Sequence, residues 1–166
     1  MAEIIGVCMW ILLGLKWGDW KNWAAYQSTI VYFIFCDTLY YLISHSHPLW
    51  TLEPTWPIKT RLVALFGEFI VFAITVLIFL GRYPTRRLFS AWWTLLWVLI
   101  YTVLELVLLK LGVFKYHNNW GLFQSFLFNI LMFIFLRLYF KKPIITLLLT
   151  FPIGLILIYL TKIPIK

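Results

Sequence analysis

Charge is scarce in this chain. Asp, Glu, Lys and Arg make up 12% of its 166 residues, and only six are acidic. A soluble domain carries about 25% charged residues, so this deficit, with 63% hydrophobic residues and a mean hydropathy of +0.92, excludes a water-soluble fold. Cysteine is almost absent. Cys8 and Cys36 fall in different apolar runs and read as packing thiols, which excludes a disulfide scaffold and a spaced Cys/His metal cluster. Also missing are a G-x-S-x-G elbow, a Gly-rich phosphate loop, a paired-aspartate diphosphate motif, an H-E-x-x-H helix and a histidine-box series. With few serines at depth, serine-nucleophile chemistry has no support. The net charge of +8 does not imply a nucleic-acid partner, because the basic residues stand singly at the ends of apolar runs, where they anchor helices to headgroups, and form no basic stripe.

What remains is long hydrophobic runs. A span needs about 20 apolar residues, which leaves room for about six in this length. Pro, Gly and charge clusters divide the chain into predicted spans at 3–16, 23–44, 61–80, 88–109, 120–139 and 143–161. The expected fold class is therefore all-α, a polytopic membrane protein of about six helices, with residues 1–166 as one integral membrane domain. The first run is short, about 18 Å from Ile4 to Leu15, and needs Lys16, Trp17 and Trp20 at the interface. It lacks early Lys or Arg and a small-x-small site, so it is expected to stay as a helix rather than be cleaved as a signal.

Three of the six acids, Asp37, Glu68 and Glu105, lie inside spans, where a carboxylate costs roughly 2.5–3.5 kcal/mol on insertion scales and marks a functional position. Alternating helix direction puts them at similar depth below one membrane face. At 1.5 Å per residue Asp37 and Glu68 lie about 10 Å down, Glu105 about 7 Å, Gln124 about 6 Å and Asn129 about 13 Å. The loops of that face hold all three histidines, in His45-Ser46-His47-Pro48 and Tyr116-His117-Asn118-Asn119-Trp120. Lys59, Arg61, Lys110, Lys115, Lys162 and Lys166 belong to this face. Lys16, Lys21, Arg82, Arg86, Arg87, Arg137, Lys141 and Lys142 belong to the other, so the positive-inside rule puts the acidic face outside by a margin of two residues.

Trp93, Trp97, Tyr101 and Glu105 recur every four residues and share one helix face. The second span repeats the pattern with Tyr26, Phe33, Asp37 and Tyr40/Tyr41. Such faces either enclose an aromatic-rich cavity with an acidic end, suited to a lipophilic or cationic ligand, or simply pack, with Tyr hydroxyls meeting the acids. The buried carboxylates allow three interpretations: a protonated donor or relay, pairing with His45, His47, His117 or a metal ion, or a neutral acid bridging helices. No metal ligand is assigned, since His45-x-His47 stands alone and is more ordinary as an interfacial turn.

Asn22-Trp23-x-x-Tyr26-Gln27-Ser28 recurs as Asn119-Trp120-x-x-Phe123-Gln124-Ser125, and Pro57-Ile58-x-Thr60 as Pro143-Ile144-x-Thr146. Three helices separate the copies, which predicts an inverted 3+3 repeat of the kind many transporters have.

Trp17-Gly18-Asp19-Trp20-x-x-Trp23, Asp37 with Tyr40, His47-Pro48-Leu49-Trp50, Trp97 to Tyr101 to Glu105, and Tyr116-His117-Asn118-x-Trp120 together resemble an uncharacterised family of small multi-pass membrane proteins of spore-forming Gram-positive bacteria. The resemblance covers nearly the whole chain. It implies a multi-pass protein of the bacterial cytoplasmic membrane and implies no activity.

From the residues, the leading expectation is an intramembrane enzyme that uses carboxylates for acid–base chemistry on a lipophilic substrate, an isoprenoid handled in terpene-cyclase-like fashion or another lipid. Glu68 or Asp37 is expected to act as the acid, Glu105 as its partner, and His117 and Asn129 as polar orienting groups. The expected substrate wall is Trp93, Trp97, Tyr101, Tyr40, Tyr41, Phe33, Phe72 and Gln124. No cofactor is expected; membrane lipids and a lipophilic small molecule are the expected partners. The competing expectation is a proton- or cation-coupled transporter or channel subunit, for which a homodimer would enlarge the pathway, and the third is a structural membrane subunit.

Overall fold

The computed structural model describes residues 2–53 and 61–164. Among them the chain is all-helical but for one small ribbon: α1 (Ala2–Trp17), α2 (Trp23–Ile43), α3 (Arg61–Gly81), α4 (Arg87–Lys110), α5 (Leu122–Lys141) and α6 (Pro143–Thr161), with strands β1 (Trp50–Leu52) and β2 (Phe114–Tyr116). Four of the helices are long and apolar enough to cross a membrane, over Ala64–Gly81, Arg87–Lys110, Leu122–Lys141 and Pro143–Thr161. The apolar stretch Ile4–Trp17 is shorter. The 21-residue α2 is long enough but carries Gln27, Ser28, Thr29, Asp37 and Thr38, which dilute its hydropathy.

Many large apolar side chains face outward, among them Leu42, Phe123, Ile144 and Leu148. Water would not tolerate that much exposed hydrocarbon, whereas lipid is its natural solvent. The inward faces build a core from aromatic rings. Phe79 and Phe133 are wholly enclosed, with ring centroids 5.0 Å apart, and Trp97 contacts both. Trp10 of α1 stacks on Trp97 at 5.9 Å.

Helix ends are set by local chemistry. Gly18 follows α1 with its N–H closing the last helical turn onto the Gly14 carbonyl at 2.8 Å, and a Cβ there would lie 2.6 Å from that oxygen, so the position favours glycine. The Trp20 indole N–H takes the same carbonyl at 2.7 Å, so the chain turns sharply toward α2. At the end of α4, Gly112 adopts φ 71°, which only glycine enters without cost. Its N–H and that of Val113 fold back onto the Leu109 and Leu108 carbonyls, and β2 begins at the next residue.

α3 packs against α1 and α2, α5 against α4, α6 and α2. The two strands pair antiparallel with Trp50 opposite Tyr116, Thr51 opposite Lys115 and Leu52 opposite Phe114. The loop after α2 is thereby stitched to the loop after α4, on the face toward which Asp37, Glu68 and Glu105 lie. Pro57, Thr60 and Lys59 fall outside the described residues.

Candidate functional site

α2 contributes Asp37, Tyr40 and Tyr41 to a cavity of about 1090 Å³ lined by all six helices and the ribbon. That volume lies at the upper end of small-molecule sites, roughly 300–1,000 Å³. α3 adds Glu68 and Phe72, α4 adds Tyr101 and Glu105, and α5 adds Ser125 and Asn129. Phe33 stacks on Phe72 at 4.2 Å, which fastens α2 to α3 beside the acids.

The sequence leads one to expect buried carboxylates, and that expectation is corrected: none of Asp37, Glu68 and Glu105 is a buried residue. Each is part-exposed on the cavity wall, since a wide opening between helices keeps surface on the side chains that close packing would have removed. Their individual oxygens differ. Oδ2 of Asp37 and Oε2 of Glu68 are shut off and have no hydrogen-bond partner, while Oε1 of Glu68 receives the Tyr41 hydroxyl at 3.3 Å. Asp37 on α2 and Glu68 on α3 line the same cavity.

Glu105 sits in a different setting. Its Oε1 accepts the Tyr116 hydroxyl at 2.8 Å and the Ser125 hydroxyl, and the Trp120 indole N–H donates to Ser125 Oγ at 2.8 Å. The Asn129 amide, on the same cavity wall, donates to Thr102 Oγ1 at 3.4 Å. Burial pushes the Tyr116 hydroxyl above its ordinary pKa, and its bond to Glu105 adds to this, so it remains a donor. Tyr116, Trp120 and Ser125 stand in the sequence motifs and the repeat but are not among the expected site residues. The spacing Gly121, Ser125, Asn129 marks a small and polar strip at four-residue intervals along α5 and could have pointed to Ser125.

Several residues proposed from sequence lie elsewhere. Trp93 and Trp97 share a helix face with Tyr101 but do not line the cavity. Trp97 is packed among Trp10, Phe79 and Phe133, and the Trp93 indole donates to the Phe79 carbonyl at 3.0 Å. Tyr101 touches both regions, lining the cavity and bonding Thr75 at 2.7 Å. Gln124 is exposed and points back to the Asn119 carbonyl at 3.5 Å.

His117 is a fastener in the loops, outside the cavity lining. Its ring bonds Thr51 Oγ1 at 2.9 Å and its N–H the Leu49 carbonyl at 2.8 Å. Asn118 donates to the Pro48 carbonyl at 2.7 Å, and Asn118 and Asn119 take φ 52° and 60°, the left-handed region that Asn tolerates. The Tyr116–Trp120 motif thus closes onto the His47–Trp50 motif. Tyr40 completes the joint: its hydroxyl accepts the N–H of Leu49 at 3.0 Å and Trp50 at 2.9 Å and donates to the Trp50 carbonyl at 3.0 Å. Trp50 stacks on the Tyr40 ring at 4.0 Å.

Among the described residues, no three His, Cys, Asp or Glu side chains gather where they could hold a metal ion. No family model, no curated protein and no solved structure matches the chain. Chemistry must therefore be inferred from the cavity itself.

Proposed function

We propose that this chain is an intramembrane enzyme that moves protons on a lipophilic substrate held in the cavity. The observation that carries this is the Asp37–Glu68 pair: two carboxylates lining one largely apolar cavity, each with an oxygen that has no hydrogen-bond partner among the described residues. Proton transfer within one substrate needs a donor and an acceptor on the same wall, and the two carboxyls supply these roles, one member donating and the other accepting. The acid protonates one substrate atom and the base removes a proton from another. The net change is an isomerisation or cyclisation that needs no co-reactant, and the surrounding ring faces stabilise positive charge in between. Glu105, held by Tyr116 and Ser125, serves as a strut that positions the ribbon over the cavity.

In this proposal α1 and α2 cross the bilayer with the other four helices, which gives six spans in a bacterial cytoplasmic membrane. Transport is the weaker alternative. It draws on the inverted repeat, which helix packing does not favour: α1 packs on α3, whereas its counterpart α4 packs on α5 rather than α6.

The test is lipid profiling of membranes carrying the wild type, Asp37→Asn or Glu68→Gln. The proposal expects one lipophile to be depleted and an isomer of equal mass to appear only with the wild type. Identical profiles in all three, with no lipophile retained by the purified protein, would reject it.

A further inference from the structure

Among the described residues, the carboxyl groups on the cavity wall have no basic counterpart there. Asp37, Glu68 and Glu105 line it, and no Lys, Arg or His does among the described residues. Glu105 is satisfied by two hydroxyls, but Asp37 and Glu68 receive between them only the long bond from Tyr41. A carboxylate in an apolar setting with neither a cation nor adequate donors is costly, and among the described residues nothing further meets these two, which leaves room for a ligand to do so. A bare divalent ion is a poor fit, because no third protein ligand joins the pair. An organic cation brings its own N–H donors and its own shell. Aromatic side chains are at hand: Tyr41 and Tyr101 share the wall with the two acids, and cations bind to such rings. The rest of the cavity, along α1, α3 and α6, is hydrocarbon-lined and suits a chain.

We infer that the ligand is an amphiphilic amine, its protonated nitrogen between Asp37 and Glu68 and its single apolar chain along α1 and α6. This names the substrate class of the acid–base site and rests on the placement of a lipophile in this cavity.

Native mass spectrometry decides the question on the intact protein in phosphatidylcholine nanodiscs doped with equal amounts of hexadecylamine, hexadecanol and hexadecanoic acid. Wild type is expected to retain the amine over the alcohol by about tenfold, the size of one charge-assisted hydrogen bond, and to exclude the acid. Asp37→Asn and Glu68→Gln should each bring the amine-to-alcohol ratio toward one. Equal retention of amine and alcohol by the wild type overturns the amine assignment and leaves the proposed enzyme standing. Retention of no lipophile removes both. An amine preference that survives both substitutions together overturns the placement of the nitrogen. The wild-type comparison alone is decisive should either variant fail to fold.

Discussion

Replacing Glu105 by Leu separates a strut from a reacting acid. The substitution keeps bulk but takes away the oxygen on which the Tyr116 hydroxyl, at 2.8 Å, and the Ser125 hydroxyl converge. Side-chain hydrogen bonds between membrane helices average about 0.6 kcal/mol and reach about 1.7, so losing two costs about 1–3 kcal/mol. The Ser125 hydroxyl still accepts from the Trp120 indole but, like Tyr116, loses the acceptor for its own proton. Glu105→Gln presents a carbonyl oxygen at the same reach, retains both bonds and should cost less than about 1 kcal/mol. Unfolding by added SDS in mixed micelles, followed by tryptophan fluorescence and extrapolated linearly, measures both variants. Amide exchange at Trp50–Leu52 and Phe114–Tyr116 should rise in the Leu variant, because Tyr116 is the ribbon's tether to α4 and α5. A Leu variant within about 0.3 kcal/mol of wild type would refute the strut. A Gln variant as damaged as the Leu variant would show that the charge matters, and would move Glu105 into the same class as Asp37 and Glu68.

Four further outcomes are expected. Tyr40→Phe strands the N–H groups of Leu49 and Trp50 and should cost about 1–3 kcal/mol, with faster amide exchange at those two residues and an intact Trp50 stack. Phe133→Ala removes ring contacts to Phe79, Trp97 and Tyr101; at about 0.5–1.5 kcal/mol each, the same unfolding assay should show a loss of about 1.5–4.5 kcal/mol. The Asn22 amide, and after it the Tyr26 hydroxyl, hold the Asp19 carboxyl below the usual carboxylate range. A folded-state value below the unfolded one favours folding above the ordinary carboxyl range, and that contribution is lost as pH falls through the lowered value, so acid titration of stability should be flatter in Asp19→Asn. Gly81→Ala would place a Cβ 2.6 Å from Asp19 Cβ, and should displace that side chain and flatten the same titration without touching a titrating group.

How far the sequence could be read depended on whether one helix or two were involved. Asp37, Glu68, Glu105 and Asn129 could be brought to a common depth because rise per residue and alternating direction are properties of single helices, and all four line one cavity. Trp93 and Trp97 were assigned to the same wall as Tyr101 because a four-residue spacing fixes a shared face. What that face meets is settled by a neighbour, and for Trp97 the neighbours are Trp10 of α1 and Phe133 of α5. The ribbon had no signature: three residues a side are too few for alternation to show, and the pairing is with a partner far along the chain. His117 was credited with an orienting role because its loop lies near the acids, yet Thr51 holds its ring, a contact that exists only once the strands have paired. The contribution of α6 to the cavity, through Thr150 and Thr161, was likewise hidden, since both threonines satisfy their own helix carbonyls and look like ordinary interior residues.

The pairing of β1 with β2 imposes an order on biosynthesis. Leu52 and Phe114 are about 60 residues apart, so at 5–20 residues per second β1 leaves the ribosome about 3–12 s before its partner. For that interval the loop after α2 has an open edge while α3 and α4 are inserted. Closure is therefore a late event, coupled to the arrival of α5, whose Ser125 secures Glu105. A nascent chain stalled before residue 114 would present the Asp37–Glu68 pair to the lipid without the structure that encloses it, and such an intermediate is the form a membrane protease would be expected to recognise.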